Sequence, residues 1–379
     1  MNPALDVFLT FLRLGCTSFG GPVAHLGYFR EEFVNRRKWL SDADYADLVA
    51  LCTFLPGPSS SQVGMSIGKL RAGTPGAVLA WIGFTTPSAL IMLALALGAN
   101  QLLGGGLVRG LSLLTLSVIL SAVLGMARTL APDWSRRLMA LISGLIMLSL
   151  PGAWTSVLVI ALGGIYGVQF FRQAGTIQKQ QLNLKKTGIY LGVATVLLLV
   201  SPLLLGFSPY FRVFGEMYRT GSLVFGGGHV VLPLLQPVAT WLTPEQFLGA
   251  YGAAQAIPGP VFAISTFLGA TFPGVLPAWG GLIATVGIFL PALLLVLAIM
   301  PVWDSIKTHP TLQSALKGVN AAVVGLLFAA LLDAGWTIRP SSWIEWVWVV
   351  ASFVLLHVMK VPAHVVVFAG GLLGYFLLG

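Results

Sequence analysis

The chain has 379 residues, of which 56% are hydrophobic and 9% are charged, and its mean hydropathy is +0.89. A soluble domain carries about 25% charged residues, so this composition excludes a soluble globular protein and indicates an all-α polytopic membrane protein. The net charge of +9 comes from basic residues dispersed among short loops, which is typical of membrane proteins and argues against a nucleic-acid partner.

The chain divides into about 13 apolar segments, most of them near the ~20 residues that span a bilayer. The first segment holds Asp6 and Arg13 and lacks a small-residue cleavage site, so it is interpreted as mature protein rather than a signal peptide. In chain order, the first half is predicted to contain two broken segments, 3–34 and 43–68, and four ordinary ones, 75–99, 107–128, 137–151 and 153–171. After a basic loop and one extra segment, 187–206, the second half is predicted to contain broken segments 209–236 and 245–270 and ordinary ones 276–300, 314–334, 342–358 and 361–378.

The two halves share a set of motifs at matched spacing. Residues 18–22 read SFGGP and residues 224–228 read VFGGG; each is followed by Trp-Leu-Ser or Trp-Leu-Thr and then by Pro-Gly-Pro. Both intervals from the tryptophan to the first proline, Trp39 to Pro56 and Trp241 to Pro258, are 17 positions. We therefore expect a first repeat over 1–172, a linker with an extra segment over 173–206, and a second repeat over 207–379. Two halves with helix breakers in apolar segments are typical of secondary transporters.

The basic loops favour one threading of these segments. If the broken segments are re-entrant hairpins, the loops 30–38, 69–71, 128–137 and 172–186 share one side, which must be cytoplasmic. Each repeat then crosses four times, and segment 187–206 turns the second repeat upside down. A rival threading, in which each broken segment crosses the bilayer, also inverts the repeats but places loop 30–38 outside. The sequence leaves the choice between them open.

The Pro-Gly-Pro triplets predict half-helices that begin inside the membrane. Proline lacks an N–H group and glycine adds backbone freedom, so each triplet ends one helix and starts another. The first amides of a new helix have no helical partner and carry the positive end of the dipole, which suits an oxyanion. The candidate substrate-binding residues of the first repeat are Ser18, Gly20, Gly21, Pro56, Gly57, Pro58, Ser59, Ser60, Ser61 and Gln62. Those of the second repeat are Ser222, Gly226, Gly227, Gly228, Pro258, Gly259 and Pro260, with fewer hydroxyl groups, so the site is expected to be asymmetric. The alternative is that the prolines and glycines serve only helix kinks and close packing.

Arg13 and Arg219 occupy equivalent positions about six residues before the glycine breaks. A charge in an apolar segment usually faces a cavity or a partner, and two guanidinium groups would neutralise a dianion well. The alternatives are that they extend to the interface, or that Glu216 pairs with Arg219. The candidates for coupling transport to protons are His25, Asp47, Glu216, His229 and Asp333, although helix packing is the simpler explanation for the two histidines.

Motifs of other protein classes are absent from the sequence. It has no Walker loop, no Gly-x-Ser-x-Gly, no His-Glu-x-x-His and no metal cluster, so neither an enzyme nor a cofactor or metal is predicted. Cys16 and Cys52 lie in apolar segments without metal or redox spacing and are expected to be inert.

With SFGGP at 18–22, Trp-Leu-Ser at 39–41, Pro-Gly-Pro at 56–58 and their second-half counterparts, the chain resembles the chromate ion transporter family of the long two-domain type. The resemblance implies a protein of the bacterial or archaeal cytoplasmic membrane that exports chromate, with halves of opposite orientation and with sulfate as the natural competitor. It implies coupling to the membrane potential or the proton gradient. Gly228 stands where the first half has Pro22, a departure that leaves the second-half contacts less defined.

The expected function is therefore secondary active export of chromate, with the dianion held at half-helix N-termini between the repeats. The partners expected are chromate, sulfate as a competing substrate, and the lipid bilayer, and a homodimer is left open. The sequence also allows a carrier of sulfate or another oxyanion, and a passive anion channel.

Overall fold

A computed structural model describes residues 2–98, 106–151, 153–171, 184–224, 231–303 and 309–377. These residues are almost entirely helical, and none of them forms a strand. Four described helices are long and apolar enough to cross a membrane, over Ser59–Leu97, Arg109–Leu130, Pro277–Val302 and Pro310–Ile338. Shorter apolar helices cover Thr155–Phe170, Thr187–Leu203, Val261–Ala270 and Trp343–Val358. The all-α membrane fold is confirmed; the count of about 13 segments stays a prediction.

The helices of the first half begin and end near the predicted positions. They are α1 (Pro3–Thr17), α2 (Gly21–Arg30) with a π-helical extension (Glu31–Arg36), α3 (Asp42–Phe54), α4 (Ser59–Leu97), α5 (Gly106–Leu130), α6 (Trp134–Ser149) and α7 (Ala153–Phe170). Helix α4 contains a sharp turn at Ala72 and Gly73, whose backbone is not helical. This turn separates the predicted segments 43–68 and 75–99.

The linker helix is α8 (Leu184–Val200), extended by a 3-10 turn (Ser201–Leu204). The second half contains α9 (Pro209–Leu223), α10 (Val231–Leu235), α11 (Pro244–Ala256), a 3-10 turn (Val261–Ala263) that leads into α12 (Ile264–Ala270), α13 (Pro277–Ile299) with a 3-10 turn (Met300–Val302), α14 (Pro310–Ile338), α15 (Trp343–Phe353) with a π-helical end (Val354–Val358), and α16 (Ala363–Leu377).

The predicted breaks at the Pro-Gly-Pro triplets are present. Helix α3 ends at Phe54 and α4 begins at Ser59, while α11 ends at Ala256 and the next turn begins at Val261. The backbone angle φ is +128° at Gly57 and +93° at Gly259, values that residues with a side chain rarely adopt. The first glycine break lies slightly earlier than predicted, because Pro22 belongs to the first turn of α2, where proline is tolerated. The predicted break at Gly226–Gly228 lies outside the described residues.

The repeated Trp-Leu-Ser and Trp-Leu-Thr motifs each stand at the start of a helix, and their tryptophans contact neighbouring loops. Ser41 and Thr243 are the N-caps of α3 and α11, and each forms a capping box with the residue three positions later. The guanidinium groups of Arg37 and Arg71 both lie over the Trp39 ring, at 5.1 and 5.0 Å from its centre. Each motif therefore connects the two broken segments of its own half.

Glycines determine how closely the helices pack. Helix α1 crosses α4 where Gly15 meets the backbone of Gly83 and Phe84, and α9 crosses α13 where Gly221 meets Ile288. Across the halves, Gly110 of α5 meets Gly370 and Gly374 of α16, while Gly318 of α14 meets Gly163 and Gly167 of α7. Each half thus contributes one helix that packs against the last helix of the other half. Such backbone approach is common between helices in lipid, where no hydrophobic force draws apolar helices together.

The crossing of α14 and α7 provides a test of this packing. A Cβ atom at Gly318 would lie far inside van der Waals distance of the Gly163 carbonyl oxygen, whereas one at Gly335 of the same helix would meet nothing within 4 Å. We expect Gly318→Ala to destabilise the protein by about 1–3 kcal/mol, the usual effect of overpacking. Gly335→Ala is the matched control and should be neutral or slightly stabilising. Thermal unfolding of both variants in detergent checks this, and equal melting temperatures would contradict it.

Candidate anion-binding site

Two reciprocal backbone hydrogen bonds bring the breaks of the two halves together. The N–H of Gly57 donates to the carbonyl of Val224 at 2.6 Å, and the N–H of Gly259 donates to the carbonyl of Ser18 at 2.9 Å. Ser18 and Val224 are the residues that precede the glycine breaks of the first and second half. Each Pro-Gly-Pro is therefore bound to the C-cap residue of the first helix of the other half, and all four residues are buried.

The start of α4 combines backbone donors with buried polar side chains. Ser60, Ser61 and Gln62 are all buried, and the Gln62 amide Nε2 donates to the Pro56 carbonyl at 2.8 Å across the break. His25 of α2 lies beside this helix start, with its Nδ1 at 3.3 Å from the Ser60 hydroxyl. The structure thus brings together the predicted residues around Pro-Gly-Pro and one of the candidate coupling residues.

Several polar atoms around this helix start have unused hydrogen-bonding capacity. Within the described part of the chain, the buried atoms Ser18 Oγ, His25 Nε2, Ser61 Oγ and Gln62 Oε1 have no hydrogen-bond partner. Buried polar groups normally have one, so a cluster of exceptions needs an explanation such as a ligand or water. Hydroxyl groups next to free helix amides are donors suited to an oxyanion.

The equivalent helix start of the second half has fewer hydroxyl groups, as the sequence predicts, and its first buried hydroxyls are those of Ser265 and Thr266. Val261, Phe262, Ala263 and Ile264 follow Pro260, and Phe262 packs on Phe289 with ring centres 5.9 Å apart. The Ser222 hydroxyl donates to the carbonyl of Tyr218 in its own helix at 2.7 Å, so this side chain already has a partner. Gly226, Gly227, Gly228 and His229 lie outside the described residues.

Both candidate arginines form ion pairs. The Arg13 guanidinium lies 2.5 Å from the Glu32 carboxylate, and its side chain is 47% exposed. Arg219 pairs with Glu216 three residues earlier, and both side chains are largely buried. The pair of Arg219 with Glu216 was one of the alternatives open from the sequence. The partner of Arg13 was not predicted: it is Glu32, which also binds Arg36 and Arg37 at 2.6 Å. The i, i+4 spacing of Glu32 and Arg36 was the one feature of the local sequence that could have indicated an ion pair at Glu32. Direct contact of either arginine with a substrate stays a prediction.

The remaining candidates for proton coupling lie apart from this cluster. Asp47 is exposed on α3, and Asp333 on α14 accepts a hydrogen bond from Gln236 at 2.5 Å. Among the described residues, no group of three His, Cys, Asp or Glu side chains could hold a metal ion. Cys52 is buried beside the Ser66 hydroxyl at 3.6 Å, and Cys16 is exposed.

The sequence model of the chromate transporter family matches this chain twice, over residues 5–168 and 211–375. The chromate transport protein of Pseudomonas aeruginosa is 27% identical to it, over 98% of this chain and 92% of the relative. The chromate transport protein of Cupriavidus metallidurans is 30% identical, over 86% of this chain and 81% of the relative. An uncharacterized transporter of the archaeon Methanocaldococcus jannaschii is 27% identical over all of this chain and 95% of the relative.

No solved structure matches the chain significantly. The family match covers both halves, its members are transporters rather than enzymes, and the apolar helices agree with a multi-pass protein of a prokaryotic cell membrane. The chain belongs to the chromate transporter family.

Proposed function

We propose that this protein is a secondary transporter that exports chromate across the cytoplasmic membrane, with the dianion bound at the start of α4 between the two halves. One observation carries the proposal. Backbone hydrogen bonds from Gly57 to Val224 and from Gly259 to Ser18 join the two halves beside buried polar atoms that have no hydrogen-bond partner among the described residues. The names of the relatives from Pseudomonas and Cupriavidus support chromate as the substrate. Sulfate is also a tetrahedral dianion, and the same donors would suit it.

The contacts also support broken segments that are re-entrant. Near the start of α1, Asp6 pairs with Arg37 at the end of the α2 extension, at 2.8 Å. Trp39 then contacts both Arg37 and Arg71, so both broken segments of the first half have their ends at one place, which we name the first loop cluster (Arg37, Trp39 and Arg71). The crossing alternative would place these ends on opposite sides of the bilayer.

The second half has an equivalent set of contacts, which we name the second loop cluster (Tyr210, Trp241 and Thr271). The Tyr210 hydroxyl accepts a hydrogen bond from the N–H of Leu276 at 3.1 Å, and the Trp241 indole donates to the Thr271 hydroxyl at 3.2 Å. Helix α13 begins beside this cluster at Pro277.

The far end of α13 supports an inverted arrangement of the halves. Lys69, close to the first loop cluster, donates to the carbonyl of Leu297 at 3.1 Å. At 1.5 Å per residue, the 20 positions from Pro277 to Leu297 span about 30 Å, the thickness of a hydrocarbon core. The two loop clusters therefore belong on opposite membrane faces. The first cluster is rich in arginine and loops 237–244 and 271–277 of the second have no Lys or Arg, so the first faces the cytoplasm.

Membrane potential can drive export without ATP. Moving one charge through 100 mV is worth ~2.3 kcal/mol, so a dianion leaving a cell at about 150 mV, negative inside, gains roughly 7 kcal/mol. That free energy supports an outward gradient of several orders of magnitude.

The inverted topology predicts opposite accessibility of the two loop clusters. In a background with Cys16→Ser and Cys52→Ser, we place single cysteines at exposed Ala43 and Thr240, which start α3 and precede α11. A membrane-impermeant maleimide should label Thr240→Cys in intact cells but Ala43→Cys only after permeabilisation. Labelling of both positions from one side would contradict the inversion.

The Ser61 hydroxyl provides a direct test of the anion site. It is buried and has no partner among the described residues, so Ser61→Ala should not reduce thermal stability. If the hydroxyl donates to the dianion, the half-saturating chromate concentration in vesicles should rise about tenfold or more. Thr86→Ala is the matched control, because Thr86 is half-buried on the same helix and its hydroxyl donates to the Ile82 carbonyl at 2.7 Å. An unchanged half-saturating concentration for Ser61→Ala would remove this residue from the site.

A comparison of single and double variants separates two roles for Arg219. Arg219→Gln alone removes this partner from the Glu216 carboxylate. Because that carboxylate is largely buried, the loss of the ion pair by itself destabilises the protein. The double variant Glu216→Gln/Arg219→Gln removes both charges. If Arg219 only neutralises Glu216, the double variant should regain transport. If it contacts chromate, we expect both variants to lose about 10- to 150-fold in affinity, measured as chromate flux per folded protein.

A further inference from the structure

Two cavities occupy equivalent positions in the two halves. The first cavity, of about 700 Å³, lies between α2, α5 and the turn that joins α15 to α16. It extends from Tyr28 of α2 and Thr129, at the end of α5, to Gly20 at the glycine break. The second cavity, of about 420 Å³, lies between α10, α14 and α6, which correspond in the repeat to α2, α5 and α15. It is bordered by Gln236 and Pro237, near the second loop cluster.

The internal repeat relates the linings of the cavities residue by residue. Gly110 of α5 corresponds to Gly318 of α14, a difference of 208 positions. The same difference relates Val118 and Gly125 of the first cavity to Leu326 and Asp333 of the second. The two cavities are thus counterparts, and their differences are differences of side chain rather than of fold.

The linings carry opposite charge. Among its described lining residues, the first cavity has one permanently charged group, Lys360, and the second has one, Asp333. Lys360 stands in the turn after α15 with φ of +54°, and the N–H of Val361 closes that turn on the Leu355 carbonyl at 2.8 Å. The Asp333 carboxylate accepts a hydrogen bond from the Gln236 amide, and Gln236 also lines the second cavity.

His364 connects the first cavity to the glycine break. Its ring lines the cavity and lies against the ring of Phe19, with centres 4.7 Å apart. Phe19 is the residue immediately before Gly20. The Nδ1 atom of His364 is buried and has no hydrogen-bond partner in the described part of the chain. Because His364 is part of the lining, its side chain is within reach of a ligand held in the cavity.

We propose that the first cavity is the intracellular vestibule that takes up the oxyanion, with Lys360 and His364 as its binding residues, and that the second is the release vestibule, where Asp333 weakens anion binding. This inference rests on the proposed export function and on the inverted topology. A cation in a low-dielectric cleft raises the local concentration of an anion, and a carboxylate lowers it. The membrane potential still supplies the driving force. The lining charges set a high affinity at the inner face and a low affinity at the outer face.

Lys360 can be tested without risk to the fold. Lys360→Gly removes the charge and also suits the left-handed backbone at this position, so the turn is retained. In inside-out vesicles, where the cytoplasmic face is outside, we expect it to raise the half-saturating chromate concentration about tenfold at low salt. High salt should abolish the difference from wild type, because exposed electrostatic attraction is screened. Lys360→Arg should remain close to wild type.

Two further variants complete the experiment. Arg128→Gln removes a cation from exposed Arg128 of α5, which also ends near the cytoplasmic face but is not among the described residues of the cavity lining, and should not change the half-saturating concentration. In right-side-out vesicles, Asp333→Asn should lower the half-saturating concentration for uptake from the outer face several-fold, about as much as one exposed charge allows. The half-saturating concentration measured at the inner face should stay unchanged.

The outcomes distinguish this inference from the proposed function. If wild-type vesicles move no radiolabelled chromate, the proposed function fails before any variant is compared. If wild type transports chromate and Lys360→Gly has an unchanged half-saturating concentration at the inner face, or a change that high salt does not remove, the vestibule assignment is wrong. An equal change at both faces for Lys360→Gly would also overturn it, since a vestibule residue acts on one side.

Discussion

The structure depends on the pairing of unwound backbone between the two halves. A helix that stops inside a membrane leaves N–H and C=O groups without partners, and in lipid each such group costs several kcal/mol. Here the N–H groups of Gly57 and Gly259 bind the carbonyls of Val224 and Ser18 in the opposite half. The four half-helices can therefore end beside one another, because each half supplies the hydrogen-bond partner that the other lacks.

Matching helix breaks in the two halves carry different side chains. The first half surrounds its helix start with His25, Ser60, Ser61 and Gln62, while the second places Phe262 and other apolar residues at the same point. The repeated glycines keep the helix crossings alike, so the chemistry of each half is set by the residues between them. For a transporter that moves an anion in one direction this arrangement is useful, because one backbone design can present different affinities at the two membrane faces.

Several charged side chains in the described part of the chain form ion pairs that join neighbouring helices or loops. Glu32 holds Arg13, Arg36 and Arg37 together near the first loop cluster, and Arg109 binds Glu345 and the carbonyl of Ile338 on the other side. In the proposed topology Arg109 lies on the outer side, against the rule that cytoplasmic loops are the basic ones, and its ion pair with Glu345 explains why that position tolerates a cation. Such networks fix helix ends, whereas the polar atoms at the start of α4 remain available for a ligand.

The sequence by itself determined the helical membrane class, the Pro-Gly-Pro breaks and the family. Helix breakers and apolar runs determine the structure of their own segment, and motifs at matched spacing can be recognised without knowing any contact between segments. It also anticipated the asymmetry between Ser59–Gln62 and Val261–Ile264. It did not reveal that Glu32 binds Arg13, that Trp39 joins two arginines, or that Lys360 and Asp333 face equivalent cavities. The first two facts depend on how distant segments of the first half fold together, and the third depends on which helices meet across the halves. That choice is made by glycine crossings such as Gly318 against Gly163, which are contacts between residues far apart in the chain and which only the tertiary structure decides.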